Sequence, residues 1–490
     1  MSSYERLVEV GQGIQLLEDT QALLSWDQEV LMPPKGVAYR ARQMSWLSGE
    51  IHRRFTDPVV GEWISELEGE DLDETGKANA REWDHQYRRA NALPVELVEK
   101  FASAQAVSKS LWADAREKSD FSLFEKSLSE LIDLNKEKAE LWGYEECAYD
   151  ALLESFERGA KASVLEKVLG GLKSDLVPLV EEAFATEPFD QSLIKGEYPR
   201  EKQSAFNREV AEKTGFDFDA GRIDTAVHPF CSGMGSFDTR LTTRYDLEDF
   251  RSSLFGVLHE AGHGLYEQGL REELRGQPVG NSVSLGVHES QSRLWENHVG
   301  RSLEFWEQWF ERAVDYFPHL KSLSPEKMTR AVNQAERSFI RVEADEVTYD
   351  LHILLRFEIE KAIFDGEISV SQIPQEWNRR FKEMFGMEVS DDSQGCLQDI
   401  HWSMGMFGYF PTYSLGNLNA SHLYKAARSS DSSVDEGIKC GDYAPLLNWM
   451  RTRIHKQGSL YLPGELIERA AGSPVSASAH LEHLRSRYVH

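Results

Sequence analysis

Apolar residues recur along this chain mainly at three- and four-residue steps, and alternating runs bounded by turn signals are scarce, which predicts a predominantly helical protein. From Asp249 to Leu270, the residues Phe250, Leu254, Leu258, Ala261 and Leu265 form one apolar stripe, as expected of a helix with a buried face. Similar patterns predict helices from about Ser284 to Phe317 and from about Ala335 to Phe364. Between Phe218 and Arg244 the text becomes rich in Gly, Thr and Asp, with Leu241 to Tyr245 extended. A short hairpin or sheet edge lining a cleft is the expectation there. The acidic stretch Ser65 to Lys77 reads as a solvated helix end, and Ser429 to Ser433 as an exposed loop. No repeat of fixed period is visible, which excludes a solenoid.

A length of 490 residues allows several domains or one large two-lobed fold with a catalytic cleft. The formal charge of -28 repels phosphate backbones and anionic membranes, so nucleic acid is excluded as a partner. The four cysteines (Cys147, Cys231, Cys396, Cys440) lie far apart without a CxxC pair, giving neither a disulfide framework nor a thiolate metal site. Glu5, Glu9 and Glu18 interrupt the apolar residues of the N-terminus, which does not read as a signal peptide, and no apolar run is long enough to span a bilayer. The expectation is a soluble cytoplasmic protein with no membrane partner.

The sharpest chemical feature is His259-Glu260-Ala261-Gly262-His263, an H-E-x-x-H string inside the predicted helix. Residues four apart return to nearly the same helix face, so both imidazoles can meet one ion while Glu260 stands beside it as general base. A catalytic zinc needs a third protein ligand, and the metzincin pattern fails because Tyr266 and Gly269 occupy the positions where it wants Gly and His. Glu289 is the leading candidate, at the start of the next helix beyond the loop marked by Gly276, Pro278 and Gly280; His288, Glu267, Glu272 and Glu296 are its rivals. Two neutral imidazoles and one carboxylate would leave the site a net positive charge, suited to acidifying water and polarising a carbonyl.

Further strings stand in order along the chain: His228-Pro229-Phe230, Asp238-Thr239-Arg240-Leu241-Thr242, His288-Glu289-Ser290-Gln291-Ser292, Ile340-Arg341-Val342-Glu343-Ala344-Asp345, and Gly395 to Trp402. With the H-E-x-x-H string, and with Trp26-Asp27, Met32-Pro33-Pro34 and Phe407 to Tyr413, they make the whole chain resemble metallocarboxypeptidases of the carboxypeptidase Taq type, peptidase family M32. The resemblance implies a single peptidase domain over 1–490, two-lobed and mainly helical, with a small β element and a deep groove of neurolysin and angiotensin-converting-enzyme type. It implies a metal core at about 220–420, one Zn2+ per chain replaceable by Co2+, Glu289 as third ligand, and a homodimer. It also implies removal of single residues from peptide C-termini with broad specificity.

Such chemistry assigns Glu260 to water activation. By analogy with the converting-enzyme architecture, His401 with Tyr409 or Tyr413, in a Gly-rich segment that reads as a loop, stabilises the oxyanion. Arg240 and Arg341 are the candidates for binding the substrate carboxylate, with His228 shaping the pocket. Taken without the family, Arg341 reads as an i,i+4 ion pair with Asp345 on a helix surface, and Arg240 as a strand-end surface charge. The alternatives are a zinc oligoendopeptidase of the same helical superfamily and a catalytically idle scaffold.

Overall fold

The computed structural model describes residues 1–489 and is mainly α-helical, with one small sheet. The sheet has the order β1-β3-β2: β1 (Gly221–Thr225) runs parallel to β3 (Thr239–Thr243), and β2 (Cys231–Gly233) is antiparallel to it. The Gly/Thr/Asp-rich text thus forms three strands, and β3 spans Thr239–Thr243 where the sequence suggested Leu241 to Tyr245. β3 packs on the helix Phe250–Glu267 that carries the H-E-x-x-H string. Asp249 caps that helix by accepting the Arg251 N–H.

Two predicted helices are shorter than the periodicity suggested. The stretch from Ser284 is broken into a helix Leu285–Arg293, a π-helical segment Leu294–Gly300 and a helix Leu303–Tyr316. The apolar pattern survives the break because Leu294, Trp295 and Val299 stay buried through the π segment. The third helix starts at Glu346, not near Ala335, because Asp345 is its N-cap and accepts the Thr348 N–H. Ser429 to Ser433 is a tight junction between two helices in which Asp431 caps the second, accepting the Ser433 N–H.

Two large apolar cores hold the molecule together. One gathers Phe206, Phe250, Leu258, Trp295, Trp306 and Phe317; the other gathers Leu128, Leu172, Leu354, Trp377, Phe381 and Phe410. The helix Pro411–Ser430 belongs to both, giving Leu423 and Ala427 to the first and Leu418 to the second. It therefore lies along the boundary between them, packed on Leu285–Arg293, and the H-E-x-x-H helix packs on the same helix.

Candidate active site

His259 and His263 lie one helical turn apart, and their ring nitrogens converge on Glu289. His259 Nε2 is 3.7 Å and His263 Nε2 3.4 Å from Glu289 Oε2. All three donor atoms fall within 4.8 Å of one another. A tetrahedral zinc with bonds of about 2.0–2.2 Å holds its ligands roughly 3.4 Å apart, so this donor set fits such an ion in both chemistry and span.

Two glycines permit the convergence. A Cβ on Gly262 would stand 2.4 Å from the Gln291 carbonyl oxygen and 2.6 Å from Ser292 Cα, so the two site helices touch backbone to backbone there. On the helix Pro411–Ser430, a Cβ on Gly416 would lie 2.4 Å from Glu289 Cγ. Small residues at these crossings let Glu289 reach the histidines.

The rival candidates mostly stand on the far side of the histidines from Glu289. Glu296, from the π segment, hydrogen-bonds His259 Nδ1 at 2.9 Å. His288 meets His263 Nδ1 at 2.5 Å through its own Nδ1, and its Nε2 meets Glu267 at 2.8 Å. Each imidazole therefore has an outer partner that fixes its ring and leaves Nε2 facing Glu289. Glu272 is exposed on a short 3-10 turn. Arg293 donates from Nε to Glu289 Oε1 at 2.7 Å, and the Ser292 hydroxyl donates at 3.1 Å to Oε2, the oxygen that faces the histidines.

Electrostatics at the site favour a cation. Burial works against a charged His259, yet Glu289 and Glu296 raise it to about 9. The field that favours a proton there favours a metal ion equally. Glu260 is 5% exposed, and burial pushes its carboxyl up to about 7, with Glu289 adding to the rise and His259 opposing it.

His401 lies in a 3-10 turn (His401–Met404) and Tyr413 in the first turn of Pro411–Ser430, so the loop its glycines suggested is confined to residues 405–410, which carry Tyr409. Tyr413 Oη is 3.5 Å from His401 Nε2, and the Tyr409 and Tyr413 rings are 5.4 Å apart. Burial lowers His401 to about 4, so it is neutral, and burial raises both phenols, so they keep their protons. The Glu289 charge reaches both tyrosines.

Arg341 does not pair with Asp345 on a helix surface. It is 6% exposed, donates from Nε and Nη2 to Asp399 at 3.1 and 2.8 Å, and from Nη1 to the Tyr349 hydroxyl at 2.8 Å. Asp345 is unavailable because it caps the next helix. Asp399 also accepts from Arg356 at 2.7 Å, and the two guanidiniums hold its carboxyl far below the usual range although burial alone would raise it. Tyr349 links the groups: Arg293 lies 4.6 Å over its ring, and Tyr413 stands edge-on at 6.2 Å.

Arg240 is within β3, not at a strand end. It forms a two-pronged pair with Asp238 at 2.8 Å and lies 4.3 Å over the Trp26 ring from the N-terminal helix. His228 is exposed in the connection between β1 and β2. Sequence reasoning did not single out Arg293, Tyr349 or Arg356; for Arg293, the i,i+4 spacing to Glu289 was the available signal.

A helical fold with a small sheet and a His-His-Glu centre on crossing helices defines a metallopeptidase architecture. Residues 6–488 match the family model described as Carboxypeptidase Taq (M32) metallopeptidase, and the chain belongs to that family, which makes it a metallocarboxypeptidase. It is 42% identical to thermostable carboxypeptidase 1 of Thermus thermophilus, covering 100% of this chain and 98% of that one. It is 37% identical to carboxypeptidase 1 of Bacillus subtilis, over 95% and 94% of the two chains. The M32 carboxypeptidase structure from Deinococcus radiodurans superposes with a TM-score of 0.97 at 35% identity, covering 99% of this chain and 98% of that one.

Proposed function

We propose that this metallocarboxypeptidase uses zinc, held by His259, His263 and Glu289, to release single amino acids from the C-termini of peptides with broad specificity. The observation that carries the reading is the convergence of two imidazole nitrogens and one carboxylate oxygen within 4.8 Å, with Glu260 buried beside them. When bound, zinc, or cobalt in its place, supplies a Lewis acid that acidifies water and polarises the scissile carbonyl.

Glu260, with a carboxyl at about 7, is poised near neutral pH to take a proton from the attacking water and hand it to the leaving amine. His401 and the protonated hydroxyl of Tyr409 or Tyr413 donate hydrogen bonds to the developing oxyanion. Arg240 and Arg341 attract the substrate's terminal carboxylate, and exposed His228 borders the pocket. Arg341 works from within its Asp399 pairing, which leaves an N–H on each of Nη1 and Nη2 free to donate. We further propose a cytoplasmic homodimer, which sedimentation would check.

An unblocked peptide and its C-terminally amidated twin, followed by mass spectrometry with metal-free, zinc-loaded and Glu260→Gln protein, test the reading. Stepwise shortening of the free peptide alone, dependent on metal and Glu260, is the expected result. Loss of a general base slows turnover by about 10²–10⁴-fold while the metal stays bound. Internal cleavage of both peptides would instead establish the oligoendopeptidase reading, and no cleavage with any metal would leave an idle scaffold.

A further inference from the structure

Away from that centre, a second group of metal-ligating side chains is buried where three elements meet. His298 comes from the π segment Leu294–Gly300, Glu346 from the first turn of Glu346–Phe364, and His483 from the helix Ala477–Tyr488. One nitrogen of each histidine and a Glu346 oxygen lie within 4.8 Å of one another, the span found for His259, His263 and Glu289. His483 Nε2 is 2.8 Å from Glu346 Oε1, and the two imidazole rings are 3.9 Å apart. Arg487 lies 3.5 Å from Glu346 Oε2, as Arg293 flanks Glu289 in the first centre.

The hydrogen bonds around His298 fix its tautomer. His480 Nε2 lies 2.8 Å from Asp350 Oδ2, so the ring proton of His480 belongs on Nε2 and its Nδ1 is an acceptor. Ser421 Oγ gives its one proton to that Nδ1 at 2.8 Å or to the Asn417 carbonyl at 3.0 Å, and in either case has none for His298. The same oxygen then accepts from His298 Nε2 at 3.1 Å, which leaves His298 Nδ1 with a bare lone pair. That nitrogen is buried without a hydrogen-bond partner, in a residue 3% exposed, and Glu346 Oε2 is likewise buried without a hydrogen bond. An unmet imidazole acceptor and a carboxylate oxygen whose one partner is the Arg487 cation at 3.5 Å are groups that a metal ion would satisfy.

We propose that His298, Glu346 and His483 form a second divalent-cation site, of zinc class, that fastens the C-terminal helix to the π segment. Two imidazoles and one carboxylate select a borderline cation such as zinc or cobalt over magnesium or calcium. Ligation through His483 Nε2 places that ring's proton on Nδ1. The π segment also carries Glu296, so an ion at this site would steady the frame of the His259 partner.

The test is zinc content after equilibrium dialysis of the full chain against micromolar zinc. Wild type is expected to hold two equivalents, His259→Ala/His263→Ala one, His483→Ala one, and the triple variant none. Should His483→Ala fail to fold by circular dichroism, Glu346→Gln replaces it, because it keeps an acceptor for His483 while removing the charge. In the His259→Ala/His263→Ala background, cobalt should give a visible absorption band that Glu346→Gln abolishes. A single equivalent in wild type that vanishes in His259→Ala/His263→Ala overturns the second site. So does a second equivalent that survives both His483→Ala and Glu346→Gln. Zinc confined to the His483-dependent site would instead overturn the zinc reading of the first centre.

Discussion

Asp399 holds two buried arginines, and replacing it by asparagine should strand both. Its carboxylate lies 2.8 Å from Arg341 Nη2 and 2.5 Å from Arg356 Nη2, with the Arg356 side chain fully buried. At an effective dielectric of 20, each pair at about 3 Å is worth roughly 5 kcal/mol of raw Coulomb attraction, most of it offset by the cost of removing the charges from water. Removing one member of a buried ion pair nevertheless costs about 3–5 kcal/mol, because the partner stays buried without compensation. Asp399→Asn leaves two guanidiniums facing each other, so a loss of about 4 kcal/mol is expected. With an unfolding entropy of about 2.1 cal/mol/K per residue over the whole chain, that is a fall of about 4 °C in thermal midpoint, readable by calorimetry. The double variant Arg356→Met/Asp399→Asn removes one stranded cation and should recover about half of the loss. Because Asp399 also orients Arg341, KM for a free-carboxylate peptide should rise more than kcat falls. A midpoint within 1 °C of wild type, or a double variant no better than the single, would refute this account of the triad.

Three further outcomes follow from the same geometry. Glu296→Gln weakens the 2.9 Å bond to His259 Nδ1, and zinc affinity measured by chelator competition should fall about 10–100-fold. Gly262→Ala drives a methyl into the Gln291 carbonyl, so the site helices must separate, and the protein should lose zinc and about 1–3 kcal/mol of stability in urea unfolding. Glu360 is fully buried, and burial raises its carboxyl to about 7 against the opposing hydrogen bonds from Tyr149, Gly408 and Trp402. The unfolded chain therefore releases this proton first, near pH 4.5, and Glu360 favours the folded state fully below that value. Its contribution of about 3 kcal/mol is lost as pH rises through 7. Glu360→Gln should flatten that part of the stability profile, and unchanged pH dependence between 4.5 and 7.5 would contradict it.

The sequence by itself determined the features that depend on neighbours along the chain. Helical class follows from the apolar period, because side chains three and four apart share a helix face whatever packs on them. The His259 and His263 pairing is visible for the same reason. The break at Leu294–Gly300 was hidden because its buried residues keep the apolar pattern. The start at Glu346 was missed because Asp345 reads equally as a surface partner for Arg341 and as a cap. Tertiary structure alone brought Asp399 to Arg341, sorted Glu289 from Glu296, Glu267 and His288 by depth behind the histidines, and gathered His298, Glu346 and His483 from three elements. Those contacts join residues up to 185 positions apart, as from His298 to His483. They depend on which helix faces meet and how closely glycines such as Gly262 and Gly416 let backbones approach, which no local period encodes.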